Sequence, residues 1–132
     1  MCNIYGTNIS SRNCLLLEEV EEEICLSLKV FPNAKLILGG DWNSIKDPFL
    51  DCTPPRPVRN DKTAKIDQIC LNLNCFDIWR YRNPDKSQFT WQTKDLNKQS
   101  RIDFWLISTV MKKEVKDVYI EPSVITNHKL TT

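Results

Sequence analysis

Asp41 and Asn43 close the stretch Lys35-Leu36-Ile37-Leu38-Gly39-Gly40-Asp41-Trp42-Asn43 and stand two residues apart. The first is an anionic acceptor and the second an uncharged amide with donor and acceptor ends. Such a pair suits a site that handles a phosphate and a water or hydroxide beside a divalent cation. Taken alone, the same residues also fit an Asx-type turn after a buried strand. Asp103 lies inside the apolar run Ser100-Arg101-Ile102-Asp103-Phe104-Trp105-Leu106-Ile107-Ser108. A carboxylate in such a run needs a partner if it is buried. His128, the single histidine, follows Val124-Ile125-Thr126-Asn127 and supplies a titratable donor beyond another apolar segment.

These groups need elements to hold them. Leu36, Ile37 and Leu38 form a run too short for a helix and suited to a strand covered on both faces. Gly39 and Gly40 are expected to end that strand, letting the backbone turn or approach a neighbour closely. Asp41 and Asn43 then emerge at its C-terminal end, where open α/β sheets place ligands. Cys2 to Tyr5 reads as an earlier strand with a turn at Gly6-Thr7-Asn8, and a chain that opens inside a strand is expected to be a fragment. Ser10 or Ser11 is expected to cap a helix whose stripe is Leu17, Val20, Ile24 and Leu28. Glu18, Glu19, Glu21, Glu22 and Glu23 fall mostly off the stripe, as a solvated face would. Pro32 and Asn33 stop this helix.

Residues 44–61 carry Pro48, Pro54, Pro55 and Pro57 with Arg56 and Arg59, and read as a long surface loop whose basic pair could meet a phosphate backbone. Thr63 is expected to cap a second helix with Ile66, Ile69, Cys70 and Leu73 on its buried face. Phe76 to Pro84 is a short segment, Phe89-Thr90-Trp91 a β-type triplet, and Lys94 to Gln99 a polar turn. Ser100 to Ser108 and Val115 to Ile120 read as two more strands. Trp42, Trp91 and Trp105 are expected in the core.

The length of 132 residues fits one domain, 1–132, and 41% hydrophobic content is enough for a core. Lys and Arg total 18 against 17 Asp and Glu, a net charge of +1, so nucleic-acid affinity must come from a local patch. The sequence shows no membrane span and no signal peptide. Six cysteines stand at positions 2, 14, 25, 52, 70 and 75. Without a secretory signal they are expected to be reduced thiols of an intracellular, nuclear or cytoplasmic protein. With one histidine, a zinc site of ordinary spacing is not expected.

In order, these segments resemble the endonuclease/exonuclease/phosphatase superfamily. Four blocks carry the likeness: Ile4-Tyr5-Gly6-Thr7-Asn8, Gly40-Asp41-Trp42-Asn43, Ser100-Arg101-Ile102-Asp103 and Thr126-Asn127-His128. Asp77-Ile78-Trp79-Arg80, Phe89-Thr90-Trp91 and the run from Ser100 to Leu106 are most similar to endonuclease domains of LINE-type (non-LTR) retrotransposons. The resemblance implies an α/β fold, a partial four-layer DNase I-like sandwich with mixed sheets and outer helices, its N-terminal half missing. It implies hydrolysis of a DNA phosphodiester with Mg2+, or Mn2+ in its place. Asp41 would orient or deprotonate the water, Asn43 would bond phosphate oxygens, and His128 would stabilise developing charge. Asp103 would pair with the histidine or, together with Asp41, hold the metal. Tyr5 and Asn8 would lie at the scissile phosphate, and Thr90 and Arg101 would contact substrate.

Two departures lower the expected activity. Asn127 stands where the resemblance calls for an Asp before the histidine, and a neutral amide neither fixes the imidazole tautomer nor supports a cationic ring as a carboxylate does. In serine proteases such an exchange costs about 10⁴ in turnover. The metal-binding Glu and an early Asn would lie upstream of the Tyr5 block, leaving Asp41 and Asp103 to hold the ion. The sequence thus points to a nuclease fragment of impaired activity, completed by a missing N-terminal half or a partner chain. The competing expectation is a non-catalytic remnant that binds nucleic acid or protein. A third keeps the fold and takes a phosphoinositide or nucleotide phosphate.

Overall fold

Alternation along three adjacent strands decides which side chains meet the helices and which stand on the opposite face. The computed structural model describes residues 1–7, 9–55, 61–121 and 130–131. The elements run β1 (Cys2–Tyr5), α1 (Ser10–Val30), β2 (Ile37–Asp41), β3 (Cys52–Thr53), α2 (Asp61–Asn72), β4 (Cys75–Asp77) and α3 (Ile78–Arg82). They continue with β5 (Trp91–Gln92), β6 (Gln99–Ser100), β7 (Asp103–Ser108), β8 (Ile120–Glu121) and β9 (Leu130–Thr131). The main sheet has the order β1-β2-β7-β4, parallel between β1 and β2 and antiparallel elsewhere. A three-stranded sheet β3-β6-β5 and the pair β8-β9 complete the described strands.

Ile4, Leu38, Phe104 and Leu106 point to one face, where they pack with Leu17 and Ile24 of α1, with Ile66 and Ile69 of α2, and with Leu73 just after it. Burying side chains of this size contributes roughly 1.5–3 kcal/mol each before conformational entropy is set against it. Ile107 points to the other face, where a second cluster gathers Ile78, Trp79, Val118 and Ile120, with Ile37 and Trp105 against it. A one-residue slip in register would exchange these two sets, so both clusters fix the pairing. The expected architecture of mixed strands and outer helices is the one observed.

Local expectations hold in part. The α1 stripe is buried as its spacing requires, with Val20 and Leu28 partly covered. Of the acidic run, Glu21 reaches α2, pairing with Lys65 at 3.1 Å. Neither serine caps α1: Ile9 takes that position and no side chain caps the helix. Thr63 likewise sits inside α2, where its hydroxyl donates to the Ile45 carbonyl at 2.7 Å. The two glycines do not end β2, which begins at Ile37 and runs through them to Asp41. Gly39 lies under the Trp105 ring, where a Cβ would come within 2.0 Å of a ring carbon. Gly40 has φ +134°, and its Cβ would meet the Ile4 carbonyl oxygen at 2.1 Å. Close approach between strands, the second reading of those glycines, is the one that applies.

The described part of the 44–61 segment is not a free surface loop. Ser44, Ile45, Asp51 and Cys52 are buried. Arg56 and Arg59 lie outside the described residues. The run from Ser100 to Ser108 divides into the end of β6 and β7, broken at Arg101-Ile102, and only Ile120 of the 115–120 run is in a strand. Trp42 is in the core as expected, stacked on Phe104 with centroids 5.2 Å apart, while Trp91 and Trp105 are half-buried.

Candidate active site at the strand ends

Three of the residues singled out in the sequence stand side by side. Tyr5 pairs with Asp41 across β1 and β2, and Asp41 pairs with Asp103 across β2 and β7. The period-2 alternation that sends Ile4, Leu38 and Phe104 to the helices sends Tyr5, Asp41 and Asp103 to the opposite face. Both carboxylates are partly exposed, and Tyr5 is 81% exposed, so its ring is not a core aromatic. Like charges directly opposite on neighbouring strands cost stability, which a cation or a set of donors relieves.

Beyond Asp41 the chain turns. The Asn43 amide donates to Asp41 Oδ1 at 2.8 Å, and Asn43 takes φ 47°, a left-handed conformation that Asn tolerates. The Asx-type turn is therefore present, and it carries Asn43 beside the carboxylate that precedes it. Trp42 is clamped from both sides, its amide donating to the Ile102 carbonyl at 2.9 Å and its indole to the Phe104 carbonyl at 3.0 Å. Two buried polar side chains that the sequence reading missed hold this turn. Asn13 of α1 donates to the Trp42 carbonyl at 3.2 Å and accepts from the Thr7 amide at 2.9 Å. Lys62 of α2 donates to the Asn43 carbonyl at 3.1 Å and the Thr7 carbonyl at 3.4 Å. A polar residue at the head of an apolar helical stripe, as Asn13 is relative to Leu17, was the available signal for the first.

Thr90 and Arg101 do not contact substrate from where they sit, because both are 0% exposed. Thr90 works behind the site: its hydroxyl oxygen accepts from the Ile102 amide at 3.0 Å and the Asp103 amide at 3.1 Å. Those two bonds fix the chain as it enters β7, and so fix Asp103. Arg101 lies in an ionic network, with Nε 2.8 Å from Asp51 Oδ1 and Nη2 2.6 Å from Asp77 Oδ2. Arg80 binds Asp51 as well, and Asp77 caps α3 by accepting from the Arg80 amide at 3.1 Å. The guanidinium of Arg101 lies 5.0 Å from the Trp79 ring. Burial pushes the Asp51 pKa up, but Arg101, the Asp47 amide and Arg80 outweigh it and hold the carboxyl below its ordinary range. Burial likewise works against the Arg101 charge, and Asp77 and Asp51 outweigh it.

Asn8, Asn127 and His128 lie outside the described residues. Among the described residues no group of three or more His, Cys, Asp and Glu side chains is placed to hold a metal ion. Asp41 and Asp103 remain as a carboxylate pair, and Mg2+ characteristically takes one or two carboxylates, keeping water and substrate phosphate for its other positions. The pair fits that minimum. No described helix is long and apolar enough to cross a membrane.

No protein-family model matches the sequence, and no curated protein matches it. Solved structures do match the fold. The chain is similar to a 3'-5' exonuclease from Neisseria meningitidis, with TM-score 0.72 and 22% identity over 98% of this chain. It is similar to an AP endonuclease from Archaeoglobus fulgidus, with TM-score 0.74 and 16% identity over 96% of this chain. The catalytic domain of APE2 from Xenopus laevis aligns with 77% of the chain at TM-score 0.60 and 23% identity, with 38% of that protein covered. A further structure shows the Neisseria protein, described as a 3' phosphatase, bound to a product DNA hairpin. The chain spans 58% of the Neisseria exonuclease and 57% of the Archaeoglobus enzyme. The fold is thus mixed α/β and DNase I-like, over a little more than half the length of the Neisseria and Archaeoglobus proteins.

Proposed function

We propose that this chain is the C-terminal part of a DNA phosphodiester hydrolase domain, an endonuclease of LINE-type retrotransposon descent, with little or no turnover on its own. The observation that carries the reading is the register Tyr5–Asp41–Asp103 across β1, β2 and β7. It sets two carboxylates and a phenol on one face, with Asn43 in the turn beside them. When bound, a divalent ion, Mg2+ or Mn2+, would lower the pKa of water and neutralise phosphate charge, held by Asp41 and Asp103. Asp41 orients or deprotonates the attacking water. Asn43 donates its amide to a non-bridging phosphate oxygen, and Tyr5 offers its hydroxyl on the exposed flank. His128 supplies a further donor to that oxygen, and Asn8 a contact to the same phosphate. Asn127 would give His128 a neutral partner where a carboxylate would support its charge, and this is one of the two departures that would lower turnover. A nuclear or cytoplasmic setting and completion by a further segment or partner chain belong to the same proposal.

The test is nicking of supercoiled plasmid in Mg2+, beside a gel-shift measurement with the same DNA. The expected outcome is DNA retention with nicking no greater than that of Asp41→Asn. Asn127→Asp raises nicking if the histidine's partner is the fault, and leaves it low if the carboxylate pair is too small for the ion. EDTA-sensitive nicking by the unmodified chain, abolished by His128→Ala, would contradict the low turnover. Absence of DNA retention would remove DNA as the ligand.

A further inference from the structure

Away from the strand ends, two cysteines combine partial exposure, a neighbouring cation and each other. Cys70 lies in the last turn of α2 and is half-buried, while Cys75 opens β4 and is buried. The Lys46 ammonium stands 3.3 Å from Asp67 Oδ1 and donates to the Cys70 sulfur at 3.5 Å. Cys75 stands five residues on, in the apolar cluster against which Cys70 packs. Its hydrogen bond is the largest influence on Cys70. Burial and Asp67 push the other way, Lys46 adds to the lowering, and the pKa falls from 9.0 to about 7. The same pairing, with burial, pushes Cys75 up, so the lowering falls on the more exposed thiol, the one beside Lys46. Burial works against the Lys46 charge, but Cys70, Asp67 and Asp77 outweigh it and Lys46 stays cationic. An accessible thiolate beside a cation and a second thiol has the makings of an oxidation-sensitive pair.

We propose that Cys70 is a site of reversible oxidation by hydroperoxides, with Cys75 as the resolving thiol. The Cys70 thiolate attacks the terminal peroxide oxygen, an S–O bond forms, the O–O bond breaks, and hydroxide leaves from hydrogen peroxide or an alkoxide from an alkyl hydroperoxide. The sulfur is oxidised by two electrons to a sulfenic acid as the peroxide is reduced. The Cys75 sulfur then attacks the Cys70 sulfur. An S–S bond forms, the S–O bond breaks, and the departing hydroxide takes up the Cys75 proton as water. The bond would tether the end of α2 to β4, two residues before Asp77 and its contact with Arg101. None of these groups belongs to the strand-end site, so the proposal stands apart from the nuclease reading.

The test uses the full chain, reduced, with Cys25 as the exposed internal control. At pH 7 iodoacetamide is expected to modify Cys70 about tenfold faster than Cys25, and Lys46→Met to remove most of that advantage. After hydrogen peroxide, the tryptic peptide between Lys65 and Arg80, which holds Cys70 and Cys75 as its two cysteines, is expected to lose two hydrogen atoms. Dithiothreitol should restore it. Cys75→Ser should leave a dimedone-reactive sulfenic acid at Cys70, and Cys70→Ser should leave neither product. Alkylation of Cys70 no faster than that of Cys25 would overturn the proposal. So would peroxide oxidation elsewhere while the 66–80 peptide keeps its mass. Both measurements on the unmodified chain are independent of whether any variant folds.

Discussion

Two acidic regions of this molecule use the same residue type in opposite ways. Behind the sheet end, Asp51 and Asp77 are buried and bound by Arg101 and Arg80, with Trp79 against both guanidinium groups. At the strand ends, Asp41 and Asp103 face each other across β2 and β7, with Tyr5 alongside. The first region is sealed and its charges matched in place. The second leaves its carboxylates partly exposed to solvent. Carboxylate density alone therefore says nothing about chemistry here; access and the partners built around each oxygen do. The two regions also meet, since Arg101 sits between Ser100 of β6 and Asp103 of β7, so the sealed network anchors the chain that delivers a site carboxylate.

The contrast predicts separable losses, the largest in the sealed region. Asp51→Ala and Arg101→Met each remove one partner from a buried charge of the network, and each is expected to cost about 3–5 kcal/mol in urea unfolding. A loss under about 1 kcal/mol would show that the network is solvated and the contrast false. Thr90→Val keeps the shape of the side chain and strands the amides of Ile102 and Asp103. About 1–3 kcal/mol is expected, with the amide resonance of Asp103 shifted. Acid unfolding sharpens the comparison further. The Asp51 carboxyl is held below the ordinary aspartate value of 3.8, so its stabilisation is whole above that value. It is lost as pH falls through the lower folded value. Unfolding below about pH 4 should flatten in Asp51→Asn, whose stability is already lower at neutral pH. Smallest is the stability effect of Asp41→Asn, Asp103→Asn and Tyr5→Phe. Each should lie within about 1 kcal/mol, read by the same urea titration.

Period and turn chemistry made one region legible and hid the other. Ile4, Leu38 and Phe104 alternate with Tyr5, Gly39 and Asp103 in a pattern that belongs to strands, and the run Gly40-Asp41-Trp42-Asn43 marks where β2 gives way to a turn. Those local patterns pointed to Asp41 and Asn43 and to a carboxylate in an apolar run at Asp103, while Tyr5 was singled out by the family resemblance. Arg101 and Thr90 lie in the same local patterns, yet their roles come from partners distant in the chain. Asp51 stands 50 residues before Arg101, and Ile102 12 residues after Thr90. A motif shows that such a residue matters without showing that it faces inward. Lys62 escaped for the same reason: a buried ammonium at a helix surface is visible only once the Asn43 carbonyl arrives beside it. The glycines were misread in part because strand termination and close strand approach favour the same residue; the Trp105 ring over Gly39 decides between them.

Paramagnetic Mn2+ added to the isotope-labelled chain tests the difference between the two regions most directly. The amide signals of Asp41, Asn43 and Asp103 should broaden first, at Mn2+ concentrations that leave those of Asp51 and Asp77 sharp, and Asp41→Asn with Asp103→Asn should remove the effect. Broadening centred on Asp51 and Asp77, or spread evenly over the surface acids and unchanged in the double variant, would contradict the assignment of the strand ends as the metal and phosphate site.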